Sequence, residues 1–236
     1  MKRFLKLFVF AIVLFHYTTA YALEVIGHVP EKIDNALIML HGWKQSGDRM
    51  QWLTDKLKKD MPNTAFYYPT APDRAPGGGY QWFIIPTLGE ELAKEELYED
   101  MMSDALRNVQ TIHEIIEHIH KSDNIPYEKI YVGGFSQGGL MAVLTVLTTN
   151  ENLPKAISFS GVPLKITSDL RAKISGNYPN ILIIQGDNDR VIPYNSYSIT
   201  ERSLNILNIP YKTRMIPRMA HHINAKALQY AIDFIK

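Results

Sequence analysis

Five short apolar runs recur from Ala36 onward, each closed by glycine, proline or polar residues, and the stretches between them carry helical periodicity. The runs fall at 36–40, 65–68, 129–133, 156–159 and 181–184, and a further strand-like stretch covers 212–216. Near-continuous apolar runs belong to strands buried on both faces, whereas a strand with one wet face alternates. Parallel neighbours need a crossover between them, which a helix supplies. The chain is therefore expected to fold as α/β, a mostly parallel central sheet with helices on both faces. The longest helical stretch, 91–120, sets Met101, Leu106, Val109, Ile112, Ile116 and Ile119 on one stripe and leaves its other face charged.

With 236 residues the chain can bury a full core as one domain, and 46% apolar against 21% charged residues places it among globular chains. A net charge of +1 names no partner, and without a polybasic face no nucleic acid is expected. The absence of cysteine excludes disulfides, thiolate metal sites and a cysteine nucleophile.

The first 22 residues differ in kind. Lys2, Arg3 and Lys6 lead into the apolar stretch 8–15, and Ala20-Tyr21-Ala22 offers small residues for cleavage. This reads as a secretory signal peptide cleaved near Ala22, leaving a single catalytic domain over 23–236 that is periplasmic or secreted. An uncleaved anchor is the alternative, against which the apolar run falls short of the ~20 residues of a membrane span. Removal of three basic residues leaves 22 basic against 24 acidic ones, a charge of −2.

Gly134-Phe135-Ser136-Gln137-Gly138 matches G-x-S-x-G and lies between the 129–133 run and the helical run from Leu140. Such a strand–turn–helix element forces the serine into a strained conformation, which small neighbours tolerate. It marks the α/β-hydrolase fold, with Ser136 as nucleophile. A serine hydroxyl needs a base, and His221 and His222 stand late in the chain, after 212–216 and before the helical run 225–235. The supporting carboxylate belongs between serine and histidine. Asp187 and Asp189, after the 181–184 run, are the candidates, and the one not used caps the turn. Two backbone N–H groups are needed for an oxyanion, and Gln137 and Trp43 hold those positions.

Leu40-His41-Gly42, Gly133-Gly134-Phe135-Ser136-Gln137-Gly138-Gly139, Gly186-Asp187-Asn188-Asp189 and Met219-Ala220-His221 together resemble the phospholipase/carboxylesterase family, which includes acyl-protein thioesterases. The resemblance spans 36–236. It implies Ser136, Asp189 and His221 as the triad, with oxyanion amides from Trp43 and Gln137. It also implies hydrolysis of a carboxylic ester, a lysophospholipid or a thioester through an acyl-enzyme. Tyr68-Pro69-Thr70-Ala71-Pro72 and Gln81-Trp82-Phe83 extend the likeness. The chain departs from the family at Ile84, where an acidic residue is common, and at Trp43, whose indole is expected to narrow the pocket.

The segment 70–91, with its Gly77-Gly78-Gly79, is the expected rim of the site, its glycines serving flexibility. Tyr80 and Trp82 fit either rim or core. His41, at the end of a buried run, is assigned a structural role. His113 and His118 exceed the H-E-x-x-H spacing by one residue, which puts them about 140° apart on a helix, so no metal is expected there. No cofactor is required. The expected partner is a small-molecule ester or lipid-like substrate, with peripheral membrane contact and oligomeric state left open. Alternatives on the same fold are a peptidase, a dienelactone-type hydrolase or an inactive ligand-binding relative.

Overall fold

The computed structural model describes residues 7–16, 19–85, 95–177 and 179–236. Its main sheet has eight strands in the order β1-β2-β4-β3-β7-β8-β9-β10. These are β1 (Leu7–His16), β2 (Thr19–His28), β3 (Asn35–Leu40), β4 (Thr64–Pro69), β7 (Ile130–Phe135), β8 (Lys155–Phe159), β9 (Asn180–Gly186) and β10 (Tyr211–Ile216). From β4 to β10 every pairing is parallel, while β1–β2 and β2–β4 are antiparallel. The five apolar runs and the 212–216 stretch are the six strands of the parallel block.

Burial on both faces follows the period of two along each strand. In β3, Ile38 and Leu40 pack into one cluster, with α2 (Glu95–Ser122), α3 (Gln137–Thr148) and the α4 (Ser168–Lys173) residue Leu170. Leu37 and Met39 pack into the other, with α1 (Trp52–Leu57) and α6 (Ala225–Ile235). A sixth helix, α5 (Tyr197–Ile206), joins the first cluster through Leu204. All six residues of the stripe expected on α2 are buried. α1, α4 and α5, at six to ten residues, have too few turns to leave a clear apolar stripe in the sequence. No helix among the described residues is long and apolar enough to cross a membrane.

The expected leader covers residues 1–22, of which 1–6 and 17–18 lie outside the described residues. The backbone of 7–16 is extended and pairs with β2 on the outer edge of the sheet. Pairing of β2 with β4 begins at Val25, and Thr70 N–H donates to Glu24 O at 2.9 Å.

Part of the 70–91 segment, 86–94, also lies outside the described residues. The remainder is ordered by a small hairpin, β5 (Asp73–Arg74) with β6 (Tyr80–Gln81). The turn of this hairpin carries Gly77, Gly78 and Gly79. All three glycines hold positive φ, and a Cβ on Gly79 would stand 2.3 Å from the Lys44 carbonyl oxygen. They shape a turn that presses the hairpin against the loop after β3. Trp82 is core, fully buried, and Tyr80 is half-buried beside the Lys44–Gln45 backbone.

Candidate active site

The site stands at the carboxyl ends of the parallel strands. Ser136 joins β7 to α3 with φ 57° and ψ −115°, a conformation that ordinary side chains avoid. Its backbone is held from three sides: Ser136 N–H donates to Phe159 O at 2.9 Å, and Ser136 O accepts from Gly139 N–H at 3.0 Å and Val162 N–H at 3.2 Å. The turn is so tight that a Cβ on Gly134 would lie 2.0 Å from the Gly138 carbonyl oxygen. Every α3 residue from Gln137 to Leu147 is buried, so this helix is apolar all round, as a central helix must be. Ser136 is the residue that caps the amino terminus of this helix, a place that favours negative charge.

Opposite the serine, His221 Nδ1 stands 2.8 Å from Asp189 Oδ2. The Asp189 side chain is fully buried, and its two oxygens are saturated. Oδ1 accepts from Val191 and Ile192 N–H, both at 2.9 Å, and Oδ2 accepts from Gln185 Nε2 at 3.2 Å as well as from the imidazole. Four donors around one carboxylate fix its position and the direction of each oxygen. A carboxylate accepts hydrogen bonds, so Nδ1 carries the proton and Nε2 keeps a lone pair for a neighbour. His222 is exposed, and its backbone N–H donates to Ala220 O at 2.8 Å. Asp187 is exposed too. It caps a turn, though in the neighbouring loop: Oδ1 accepts from the N–H of Arg218, a residue with φ of 61°.

Ser136 and His221 line the same cleft, whose other walls are apolar: Trp43, Ile85, Met101, Phe135, Val162 and Val191 among them. The Phe135 ring packs 4.7 Å from the His221 imidazole. Trp43 takes part in the wall, as expected of its size, with Nε1 donating to Gln81 Oε1 at 3.2 Å. Gly42 and Trp43 face the cleft from the β3 side, and Gln137 heads α3 on the serine side. Ile84, at the family departure, is exposed, and its N–H donates to Asp104 Oδ2.

His41 is fully buried, and its contacts identify the tautomer. Nδ1 meets the Gly42 carbonyl at 2.7 Å and must donate, and Nε2 accepts from Ala71 N–H at 2.9 Å. Burial lowers its pKa to about 4, so the ring is neutral at neutral pH. That is the structural role assigned to it. His113 Nε2 donates to Thr145 O at 2.9 Å, packing α2 on α3, while His118 is exposed; the two lie on different faces of the helix. Three polar residues escaped the sequence reading. Gln185 braces Asp189, Asn108 Nδ2 donates to Trp82 O and Asp73 Oδ2, and Gln45 Oε1 accepts from Gly42 N–H. Gln185 alone had a visible signal, since it opens the turn that carries both candidate acids.

A family model described as phospholipase/carboxylesterase matches residues 22–236. The acyl-protein thioesterase 1 of Candida albicans is 30% identical over 220 residues, covering 85% of this chain and 90% of the relative. A probable carboxylesterase, SOBER1-like, from Arabidopsis thaliana is 24% identical over 209 residues, covering 85% and 77%. Among solved structures, esterase PE8 superposes with a TM-score of 0.71 at 26% identity, covering 88% of this chain and 94% of its own. Arabidopsis thaliana SOBER1 reaches a TM-score of 0.75 at 22% identity, covering 85% and 97%, a likeness of fold.

Proposed function

The chain belongs to the phospholipase/carboxylesterase family and carries the α/β-hydrolase fold, and from that premise we propose that it hydrolyses carboxylic esters or thioesters with Ser136, His221 and Asp189. The observation that carries this reading is the cleft itself. It joins a serine at a strained strand-to-helix turn to an imidazole whose other nitrogen is held by a buried carboxylate.

In this mechanism Ser136 Oγ attacks the carbonyl carbon as His221 Nε2 takes its proton. The carbonyl oxygen becomes an oxyanion, received by the Trp43 and Gln137 N–H groups. Asp189 holds the imidazolium that has formed. Return of the proton to the leaving alcohol or thiol breaks the ester bond and leaves an acyl-Ser136. Water, activated by the same imidazole, then releases the acid and restores the serine. The apolar walls favour an uncharged acyl group, and the relatives named as thioesterases and carboxylesterases support both leaving groups.

The same reading holds that the mature protein is one exported catalytic domain beginning near Leu23. Two observations support it: the family match starts at residue 22, and the sheet pairing of β2 with β4 starts at Val25. Cleavage would remove β1 and the first four residues of β2 and spare the parallel block. Mass measurement of the exported protein reads the cleavage point directly. The enzymatic reading is tested with a fluorophosphonate probe. Wild type becomes labelled and Ser136→Ala does not, while both give the same circular dichroism; folded wild type that resists the probe would refute the reading.

A further inference from the structure

The two amides assigned to the oxyanion belong to different elements, the loop after β3 and the first turn of α3, and catalysis requires a fixed distance between them. A single residue, Trp82, bridges that gap with its indole and its backbone amide. Trp82 is fully buried, and its indole Nε1–H donates to the carbonyl oxygen of His41 at 2.9 Å, two residues before Trp43. Its backbone N–H donates to Gln137 Oε1 at 3.0 Å, and Gln137 Nε2 donates in turn to Phe83 O at 2.8 Å. Gln137 is therefore clamped by its side chain to the same dipeptide whose indole holds the β3 loop. Asn108 fixes the third side, donating to Trp82 O at 2.7 Å, and the His41 ring packs 5.2 Å from the indole.

We propose that Trp82 is a positioning residue of this hydrolase, setting the separation of the Trp43 and Gln137 amides through the chain Gln137 side chain, Trp82 backbone, Trp82 indole, His41 carbonyl. The idea rests on the hydrolase reading above and adds to it. A buried indole could serve packing alone, and volume would then be all that matters. Here its N–H ends on a buried carbonyl at the root of the loop bearing the first oxyanion amide, while its own amide ends on the side chain of the residue bearing the second. Loss of the N–H leaves the His41 carbonyl buried without that partner, and the loop is free to relax by a few tenths of an ångström. Oxyanion donors act over a short range of distances, so such a relaxation weakens the transition state more than substrate binding.

The experiment compares wild type, Trp82→Phe and a protein carrying 3-benzothienylalanine at position 82, which replaces the indole N–H with sulfur at nearly constant volume. Hydrolysis of p-nitrophenyl esters is measured together with inhibition by a trifluoromethyl ketone that forms a tetrahedral adduct. Both variants should lose about 10- to 100-fold in kcat, less than the roughly 10²- to 10³-fold lost when an oxyanion donor is deleted outright. KM should stay within about threefold, the pH dependence of kcat/KM should be unchanged, and ketone affinity should fall in parallel with kcat. If Trp82→Phe fails to fold, the benzothienyl protein decides. Wild-type kcat in a folded benzothienyl protein, or a rise in KM at constant kcat, would overturn the positioning role. Turnover and fluorophosphonate labelling of wild type separate that outcome from a failure of the hydrolase reading itself.

Discussion

The two walls of the cleft are built by opposite means. On the serine wall the backbone does the work: β7 turns into α3 through a contact that no Cβ could enter at Gly134, and a helix buried on every side fixes the turn from behind. Trp82, Gln137 and His41 add buried hydrogen bonds that tie the neighbouring loop to it. The histidine wall consists of two loops, after β9 and β10, in which Asp187, Asn188, Arg190 and Val191 are exposed. What orders it is one carboxylate with four donors, together with Asn188 N–H bonded to Met219 O at 3.1 Å. One wall is held by sterics, the other by charge and hydrogen bonding. Breaking the steric contact at Gly134 should accordingly read out as lost fold, and breaking the carboxylate cluster at Asp189 as lost chemistry.

The largest effect expected on the histidine wall comes from Asp189→Asn. An amide in place of the carboxylate can present an N–H to Nδ1, which reverses the tautomer and takes the lone pair from Nε2. A kcat loss of about 10⁴-fold is predicted, with the protein still folded, read by steady-state kinetics beside a thermal melt. Next comes Gly134→Ala on the serine wall. With the Gly138 carbonyl 2.0 Å from the new methyl, the backbone must shift, and a stability loss of about 4 kcal/mol or outright failure to fold is predicted by urea unfolding. A near-native stability would show that the elbow is looser than its contacts say.

His41 gives the third prediction, on pH. The native pKa of about 4 lies below the ordinary 6.5, so the unfolded chain takes up the proton first. The contribution of neutral His41 is complete above pH 6.5 and is lost as the pH falls toward 4, about 3 kcal/mol in all. Protonation at Nε2 would also break the bond from Ala71 N–H. Urea titrations at pH 7, 5.5 and 4 should show a steeper loss in wild type than in His41→Asn; equal slopes would remove His41 from the acid response. Smallest of all is Asp187→Asn, which keeps an oxygen for Arg218 N–H and should change kcat by less than about threefold. A loss approaching that of Asp189→Asn would exchange the roles of the two acids.

The same contrast explains what the sequence disclosed. Sterics leave a local mark: Gly134, Gly138 and Gly139 must flank Ser136, and strands buried on both faces must read as apolar runs, so the parallel block and the elbow were legible. Asp187 and Asp189 are chemically alike and two residues apart. Their separation came from the family resemblance, and in the structure it comes from which one reaches His221. The bonds that join Asn108 to Trp82 and Trp82 to Gln137 reach 26 and 55 residues along the chain and follow no local pattern. At Gly79 the sequence reports only conformational permission, and the close approach of the Lys44 backbone that uses it is a tertiary fact.

The central claim is that an acyl group passes through Ser136. It is tested most directly by mixing the mature enzyme with p-nitrophenyl butyrate, quenching in acid within the first turnover and mapping the digest by mass. A burst of about one p-nitrophenol per protein is predicted, together with a butyryl adduct on the peptide containing Ser136 and neither signal in Ser136→Ala. Sustained turnover by Ser136→Ala, or an adduct on any other residue, would contradict it.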